Sequence, residues 1–243
     1  MKFRHNYLNV KNTKIPIFII SLKEDTKRRR KLMNLFSTKI VRNYFPAIDT
    51  RHFKRAKLDS YCNMDKVKKI YNRKLYPGEV GIALSHKKIY EHIVKNKIAK
   101  ALVCEDDIFV KNSNWKNDIN NILVEIKNFN DNKAILCNLG ISSDVLRKRK
   151  ILIFKWQPTI LKKLWLLNLK RNNFKLAHSY LINFQAAKNI LIANKKINCV
   201  ADDWRVFHKQ KCFDYFLISK KLFYQNKQFK SRIQNINKIK KIN

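Results

Sequence analysis

The 243-residue chain has only 3 glycines, 4 prolines and 17 acidic residues. So little glycine and proline excludes collagen-like and Gly-rich disordered chains, and gives each glycine more weight than usual. The five cysteines (Cys62, Cys104, Cys137, Cys199 and Cys212) are odd in number, far apart and form no C-x-x-C pair. A disulfide framework and a zinc knuckle are therefore not expected, which fits a reducing compartment. Cys104 and Cys137 lie inside apolar runs and read as small buried hydrophobes. Long hydrophobic runs are missing too. Met1 to Asn6 lacks the apolar stretch of a signal peptide, and Ile15 to Leu22 is too short to span a bilayer. The expectation is a cytosolic protein without a transmembrane anchor.

What is abundant is positive charge. Lys and Arg total 54, and the formal net charge is +37. Such a charge draws a protein toward nucleic acid, an acidic membrane face or phosphorylated substrates. A drift of composition toward Lys, Asn and Ile would produce the same excess without a binding surface. The basic residues are spread along the chain, and no zinc-finger, RRM, KH or basic-zipper signature lies among them. A 45% hydrophobic and 12% aromatic content excludes a wholly disordered chain and supplies a core for one sizeable domain.

The apolar pattern predicts an α/β protein with a mostly parallel sheet. Ile15 to Leu22 and Ala101 to Cys104 have the continuous apolar character of strands buried on both faces. Val41 to Ala47, Ala134 to Leu139 (ended by Gly140), Ile151 to Trp156, Ser179 to Asn183 and Cys212 to Ile218 complete the expected strands. Helices are expected after Asp25 or Thr26 as far as Phe36, from Pro77, from about Trp115 to Lys127, from Gln185 to Ala193, and a short one begun by Asp202-Asp203-Trp204 as an acidic first turn. In the helix from Pro77, Ile82, His86, Ile89 and Ile93 form one apolar stripe. Arg51 to Arg73 has no clear assignment. The organisation expected is one domain over residues 1–225 and a basic, low-complexity, fraying tail over 226–243.

Glu105-Asp106-Asp107, at the end of an apolar strand, carries the chemistry. Three adjacent carboxylates repel one another unless something cationic joins them. In open α/β sheets ligands bind beyond the carboxyl ends of the strands. On an extended chain Glu105 and Asp107 would share one side, with Asp106 opposite. Hard oxygen ligands suit Mn²⁺ or Mg²⁺, ions that bridge carboxylates to substrate phosphates. The bland alternative is a solvated strand end paired with surface lysines.

Leu75-Tyr76-Pro77-Gly78-Glu79-Val80-Gly81-Ile82-Ala83-Leu84-Ser85-His86, followed by Leu102-Val103-Cys104-Glu105-Asp106-Asp107, resembles the signature of glycosyltransferase family 25. The family pattern is G-E-x-G-x-x-x-S-H, a helix, and a strand ending in E-D-D. Ile19 to Leu22 with Thr26 and Arg28-Arg29 resembles the family's opening strand and helix, and Phe45 to Asp49 its F-x-A-x-D segment. Ala177 to Ile182 resembles its T-H-A-Y block and Ala201 to Trp204 its P-x-D-D/E-aromatic block. The match departs at Cys104, where an aliphatic residue is usual, and at Val200-Ala201, which lacks a proline. Ser142 to Asn173 matches none of the blocks.

The resemblance implies a GT-A-like, Rossmann-like nucleotide-sugar fold and an inverting transfer that uses Mn²⁺ or Mg²⁺. It implies a UDP-sugar donor, usually UDP-galactose, and a lipopolysaccharide or lipooligosaccharide acceptor that is lipid-linked. It implies Glu105 and Asp107 as metal ligands, and Ser21, Leu22, Arg28, Arg29, Asp49, Gly78, His86 and Asp106 around the donor. Asp202 or Asp203 becomes the candidate base, with helix capping as the plain alternative. His86 reads either as a core histidine or as a residue near the donor diphosphate. Trp204 either stacks on an acceptor sugar or packs. Peripheral contact with an anionic membrane, at the cytosolic face of the inner membrane, would give the charge a use. Nucleic acid is not an expected partner. A basic nucleic-acid-binding protein, or an inactive relative serving in assembly, are the alternatives.

Overall fold

The computed structural model describes residues 6–11, 13–129, 132–142, 161–163, 176–218, 220–226 and 228–229. Its centre is an eight-stranded sheet in the order β1 (Asn6–Val10), β2 (Thr13–Ser21), β4 (Lys100–Glu105), β8 (Ser179–Asn183), β6 (Ile135–Ser142), β9 (Asp214–Ile218), β7 (Leu161–Lys163), with β3 (Phe45–Pro46) also paired to β2. Five of these strands, β2, β3, β4, β6 and β9, run one way. β8 lies antiparallel between β4 and β6, and β1 and β7 are antiparallel edges. The sheet is thus largely parallel, as the alternation of elements predicts, with one inner strand reversed.

Along β2, β4, β8 and β9 side chains alternate between two cores because both faces are covered. Phe18, Ile20, Ala101, Val103, Tyr180, Ile182, Tyr215 and Leu217 face one side. There they pack on α5 (Pro77–Lys95), α7 (Phe184–Ala193) and α8 (Trp204–Lys209). Ile15, Ile17, Ile19, Leu102, Cys104, Leu181, Phe216 and Ile218 face the other, under α1 (Thr26–Leu32), α2 (Thr38–Arg42) and α6 (Trp115–Lys127). A third, smaller cluster joins α3 (Arg55–Ser60) and α4 (Met64–Tyr71) to the start of α5 through Leu58, Val67, Leu75, Val80 and Ala83. All five cysteines are buried and free. Among the described residues no helix is long and apolar enough to cross a membrane.

Several expectations need correcting. Val41 to Ala47 is not a strand. Ile40 and Val41 are buried on the short helix α2, and only Phe45–Pro46 pairs with β2. α1 stops at Leu32, before Phe36. Gly140 does not end β6, which continues to Ser142 with an irregularity between Asn138 and Ser142. A Cβ at Gly140 would come within 2.4 Å of the His178 ring, so the glycine serves a close approach rather than a break. The unassigned basic stretch contains α3 and α4. A two-stranded sheet of β5 (Ile108–Val110) and β10 (Phe223–Gln225) also escaped the sequence pattern. Ile151 to Trp156 and residues 230–243 lie outside the described residues. Asn226, Gln228 and Phe229, from the low-complexity tail, pack back. The Asn226 N–H donates to the Asp107 carbonyl at 2.6 Å, and the Phe229 ring lies under Arg28.

Candidate active site

At the carboxyl ends of β2 and β4 the sheet opens into a cavity of about 550 Å³, within the range of small-molecule sites. Its first wall is the end of β2 and the turn into α1. Ser21 is buried, and its hydroxyl donates to Asp106 Oδ2 at 2.6 Å. Arg28 reaches from α1 to Asp106 Oδ1 at 3.1 Å and Asp107 Oδ2 at 3.8 Å. Burial works against the Arg28 charge, but Asp106, Asp107 and Asp25 outweigh it and raise its pKa.

The second wall is the Glu105–Asp107 turn. β4 ends at Glu105, so the alternation expected of an extended chain does not continue. Asp106 and Asp107 both turn toward Arg28, and Glu105 Oε1 instead lies 3.8 Å from His86 Nε2. Burial, reinforced by Asp106 and Asp202, pushes Glu105 up to about 8. Burial raises Asp106 to about 6 against the opposing pull of Ser21 and Arg28. Burial and the Glu105 charge raise Asp107 to about 6, against a 2.9 Å hydrogen bond from Gln225 Nε2. Asp107 Oδ1 is buried without a hydrogen-bond partner.

The third wall is the loop from Ala47 to Arg51, held on α5. The Ser85 hydroxyl donates to the Gly81 carbonyl at 2.7 Å and accepts the Ile48 N–H at 2.8 Å. A Cβ at Gly81 would lie 2.6 Å from the Ile48 carbonyl and 2.7 Å from Thr50 Oγ1, so only glycine admits this contact. Glu79 accepts the Tyr76 N–H at 2.8 Å, capping α5, and takes both arms of Arg73. Asp49 and Gly78 line the cavity. Asp49 is gripped by Arg51, which holds its pKa down at about 2, and Arg51 also reaches Glu24 Oε1 at 2.6 Å.

Asp202 closes the cavity from the loop before α8. Its Oδ2 accepts the N–H of Leu176, whose φ of 107° is left-handed and strained for a leucine. The Leu176 carbonyl is held in turn by Asn138 Nδ2 at 2.8 Å.

The structure brings Ser21, Leu22, Arg28, Asp49, Gly78, Glu105, Asp106, Asp107 and Asp202 to one cavity, and leaves three expected residues outside it. Arg29 turns inward. It donates to Ser21 Oγ at 2.8 Å and to the Leu22 and Lys23 carbonyls, and it lies over the Tyr44 ring. Asp203 is fully buried and accepts from Tyr71 Oη at 2.9 Å. His86 lies behind the cavity wall, with Nδ1 2.6 Å from Tyr180 Oη, and burial pushes its pKa down to about 4. Trp204 packs against Tyr180 and Phe213. Arg51, His178 and Gln225 also line the cavity but had no role in the sequence reading. His178 stands inside a recognisable block. Gln225 carried no signal at all, since it borders a Lys/Asn/Gln-rich stretch.

A family model described as Glycosyltransferase family 25 (LPS biosynthesis protein) matches residues 14–205. The chain belongs to glycosyltransferase family 25. Two curated relatives named Glycosyltransferase 25 family member, from Drosophila pseudoobscura pseudoobscura and Drosophila melanogaster, are each 30% identical to it over 105 residues. Those matches cover 38% of this chain, but only 15% and 16% of the relatives, so the chain spans a small part of their length. The family-25 match takes in every wall of the cavity except Gln225.

Proposed function

We propose that the chain transfers a sugar, galactose by family resemblance, from a UDP-sugar to a lipid-linked lipopolysaccharide or lipooligosaccharide acceptor, with inversion at the anomeric carbon. The observation that carries this reading is the convergence of Ser21, Arg28 and the Glu105–Asp107 turn with Asp202 around one cavity. Arg28 supplies positive charge for a diphosphate, and the loop from Ala47 to Arg51 offers a wall for the nucleoside.

The turn fits a divalent cation in part. The buried Asp107 Oδ1 has no hydrogen-bond partner and offers a hard oxygen donor, while Glu105, which lies against His86, would join it only by turning from that ring. Among the described residues no three His, Cys, Asp or Glu side chains form a ready-made cluster. Further ligands would therefore come from the diphosphate and water. When bound, Mn²⁺ or Mg²⁺ would neutralise the charge that develops on the departing diphosphate.

The acceptor hydroxyl oxygen forms a bond to the anomeric carbon. The bond from that carbon to the diphosphate oxygen breaks, and UDP leaves with the electron pair. The hydroxyl proton passes to the Asp202 carboxylate. Asp202 is favoured over Asp203 because it lines the cavity, while Asp203 is buried against Tyr71. The positive charge of the rest of the chain would hold it against anionic lipid at the cytosolic face of the inner membrane.

The test is a panel of nucleotide sugars with Mn²⁺, scored for UDP release. Release from one donor, abolished by excess EDTA and in Asp107→Ala, is the expected result. Full activity in EDTA would remove the metal from the scheme, and no release from any donor would remove the transfer itself.

A further inference from the structure

A second cavity, of about 620 Å³, adjoins the first and shares Leu176, His178 and Gln225 with it. Leu176, in this partition, is one of five non-glycine residues with positive φ among the described residues. The other four, Lys11, Asn72, Lys97 and Lys211, lie between 46° and 57°, close to the left-handed region that single turn residues visit. Leu176, at 107°, lies well beyond it, in backbone space that a residue bearing a Cβ rarely adopts.

Such a conformation persists only where its surroundings over-determine it. Here three side chains do so. The Leu176 carbonyl accepts from Asn138 Nδ2 at 2.8 Å and from Trp204 Nε1 at 3.4 Å, and the Leu176 N–H donates to Asp202 Oδ2 at 3.3 Å. Asn138 and Trp204 are fully buried. Asn138 is anchored further, since its Oδ1 accepts the Gly140 N–H at 2.8 Å. Trp204 is wedged among Tyr180, Phe207 and Phe213. With the carbonyl pinned by these two groups, rotation about φ decides where the N–H points. A φ in the ordinary negative range would swing the N–H off Asp202. The strained φ is therefore what joins the pinned carbonyl to the acid that lines the first cavity.

We infer that Asn138 is a positioning residue for Asp202: with Trp204 it holds Leu176 in its strained conformation, so that the Leu176 N–H fixes the orientation of the Asp202 carboxylate. The inference rests on the reading of Asp202 as the base. A carboxylate tied at Oδ2 loses rotational freedom, and the orientation of a reacting group is a large factor in rate. The pin is needed because of the leucine Cβ. Glycine adopts either sign of φ readily, so glycine at 176 would keep its N–H on Asp202 without help from Asn138.

The test compares wild type, Asn138→Ala, Leu176→Gly and the double variant for kcat and for UDP affinity. Asn138→Ala should lower kcat about tenfold, the population shift that a backbone penalty of this kind drives, and leave UDP affinity unchanged. In the chain labelled with ¹⁵N-leucine, the Leu176 amide resonance, assigned by its loss in Leu176→Gly, should move in Asn138→Ala as it does in Asp202→Ala. Asn138 also interacts with the Tyr215 side chain, so its removal has a structural effect of its own. A glycine 38 residues away cannot undo that effect, but it removes the need for the pin. The double variant should therefore turn over as Leu176→Gly does. If the loss from Asn138→Ala persists in the glycine background, or falls on UDP affinity rather than kcat, or leaves the amide resonance in place, the inference is wrong and the transfer reading survives. If the wild type turns over no donor, the base assignment falls and takes the inference with it.

Discussion

The two cavities share three residues and carry opposite charge. Among the described residues the first is lined by Asp25, Asp49, Glu79, Glu105, Asp106, Asp107 and Asp202, which are seven of the 17 acids in the chain, and by no lysine. The second, among the described residues, is lined by two lysines and no acid. A chain that drifted toward lysine would place lysine in both. The first cavity is therefore where the sequence resists its own composition, and its acids are held there despite burial that raises three of them. The second cavity follows the composition, so its lysines need a functional test more than the acids do.

The largest expected effect is at Asp202. Asp202→Asn keeps an oxygen for the Leu176 N–H but loses basicity, and should lower turnover by about 10²- to 10⁴-fold with little change in UDP affinity. Asp203→Asn should leave turnover near normal, because its side chain serves Tyr71 rather than the cavity. Steady-state kinetics of the pair decide it. Equal losses in both variants would erase the distinction between the cavity acid and the buried one.

Next is the wall that holds the first cavity open. Gly81→Ala forces a methyl against the Ile48 carbonyl and should destabilise the chain by about 1–3 kcal/mol, a fall in Tm of several degrees by calorimetry. An unchanged Tm would mean that the loop shifts freely and the wall is not fixed by this contact.

A smaller effect concerns pH. Glu105 in the folded, metal-free chain is pushed up to about 8 from an ordinary 4.5. Between those values the folded state holds a proton that the unfolded state has released. Stability therefore falls as pH rises through that window. His86 and His178 act with the opposite sign. Their pKa values are lowered to about 4 from 6.5, so their contribution is complete above pH 6.5 and is lost as pH falls. From pH 6.5 to 8 Glu105 is left as the main contributor. Denaturant melts in EDTA should show declining stability over that range, and Glu105→Gln should flatten it. A rising slope would contradict the burial of Glu105 as a strained carboxylate.

The smallest effect is at the outer surface. If the basic surface serves a membrane, liposome binding should need anionic lipid and weaken with salt, as the Debye length falls from about 10 Å at 0.1 M to about 3 Å at 1 M. Equal binding to neutral vesicles would leave compositional drift as the account of the charge.

Much of the first cavity was legible in the sequence, and the second was not. Short apolar runs identified β2, β4 and β8 because strands buried on both faces have no polar alternation to disguise them. The direction of β8 was not legible, since strand polarity leaves no mark on composition. Val41 misled because a five-residue helix with buried Ile40 and Val41 has the same local pattern as a strand. The split of Glu105 from Asp106 and Asp107 depended on where β4 stops, a boundary set by Ser21 and Arg28, which are distant in sequence. Asp202 and Asp203 are adjacent acids, and only the tertiary partners Leu176 and Tyr71 separate their roles. The second cavity joins Lys111 to Lys221 through a short strand pair with no periodic signal.

In the proposed function the acidic cavity binds a nucleoside diphosphate through a cation held at the Glu105–Asp107 turn. Calorimetric titration of UDP into the wild-type chain and Asp107→Ala, each with Mn²⁺ and with EDTA, tests it directly. UDP binding to the wild type should need Mn²⁺ and be lost in the variant. UDP affinity that stays undiminished in EDTA or in Asp107→Ala would overturn this reading.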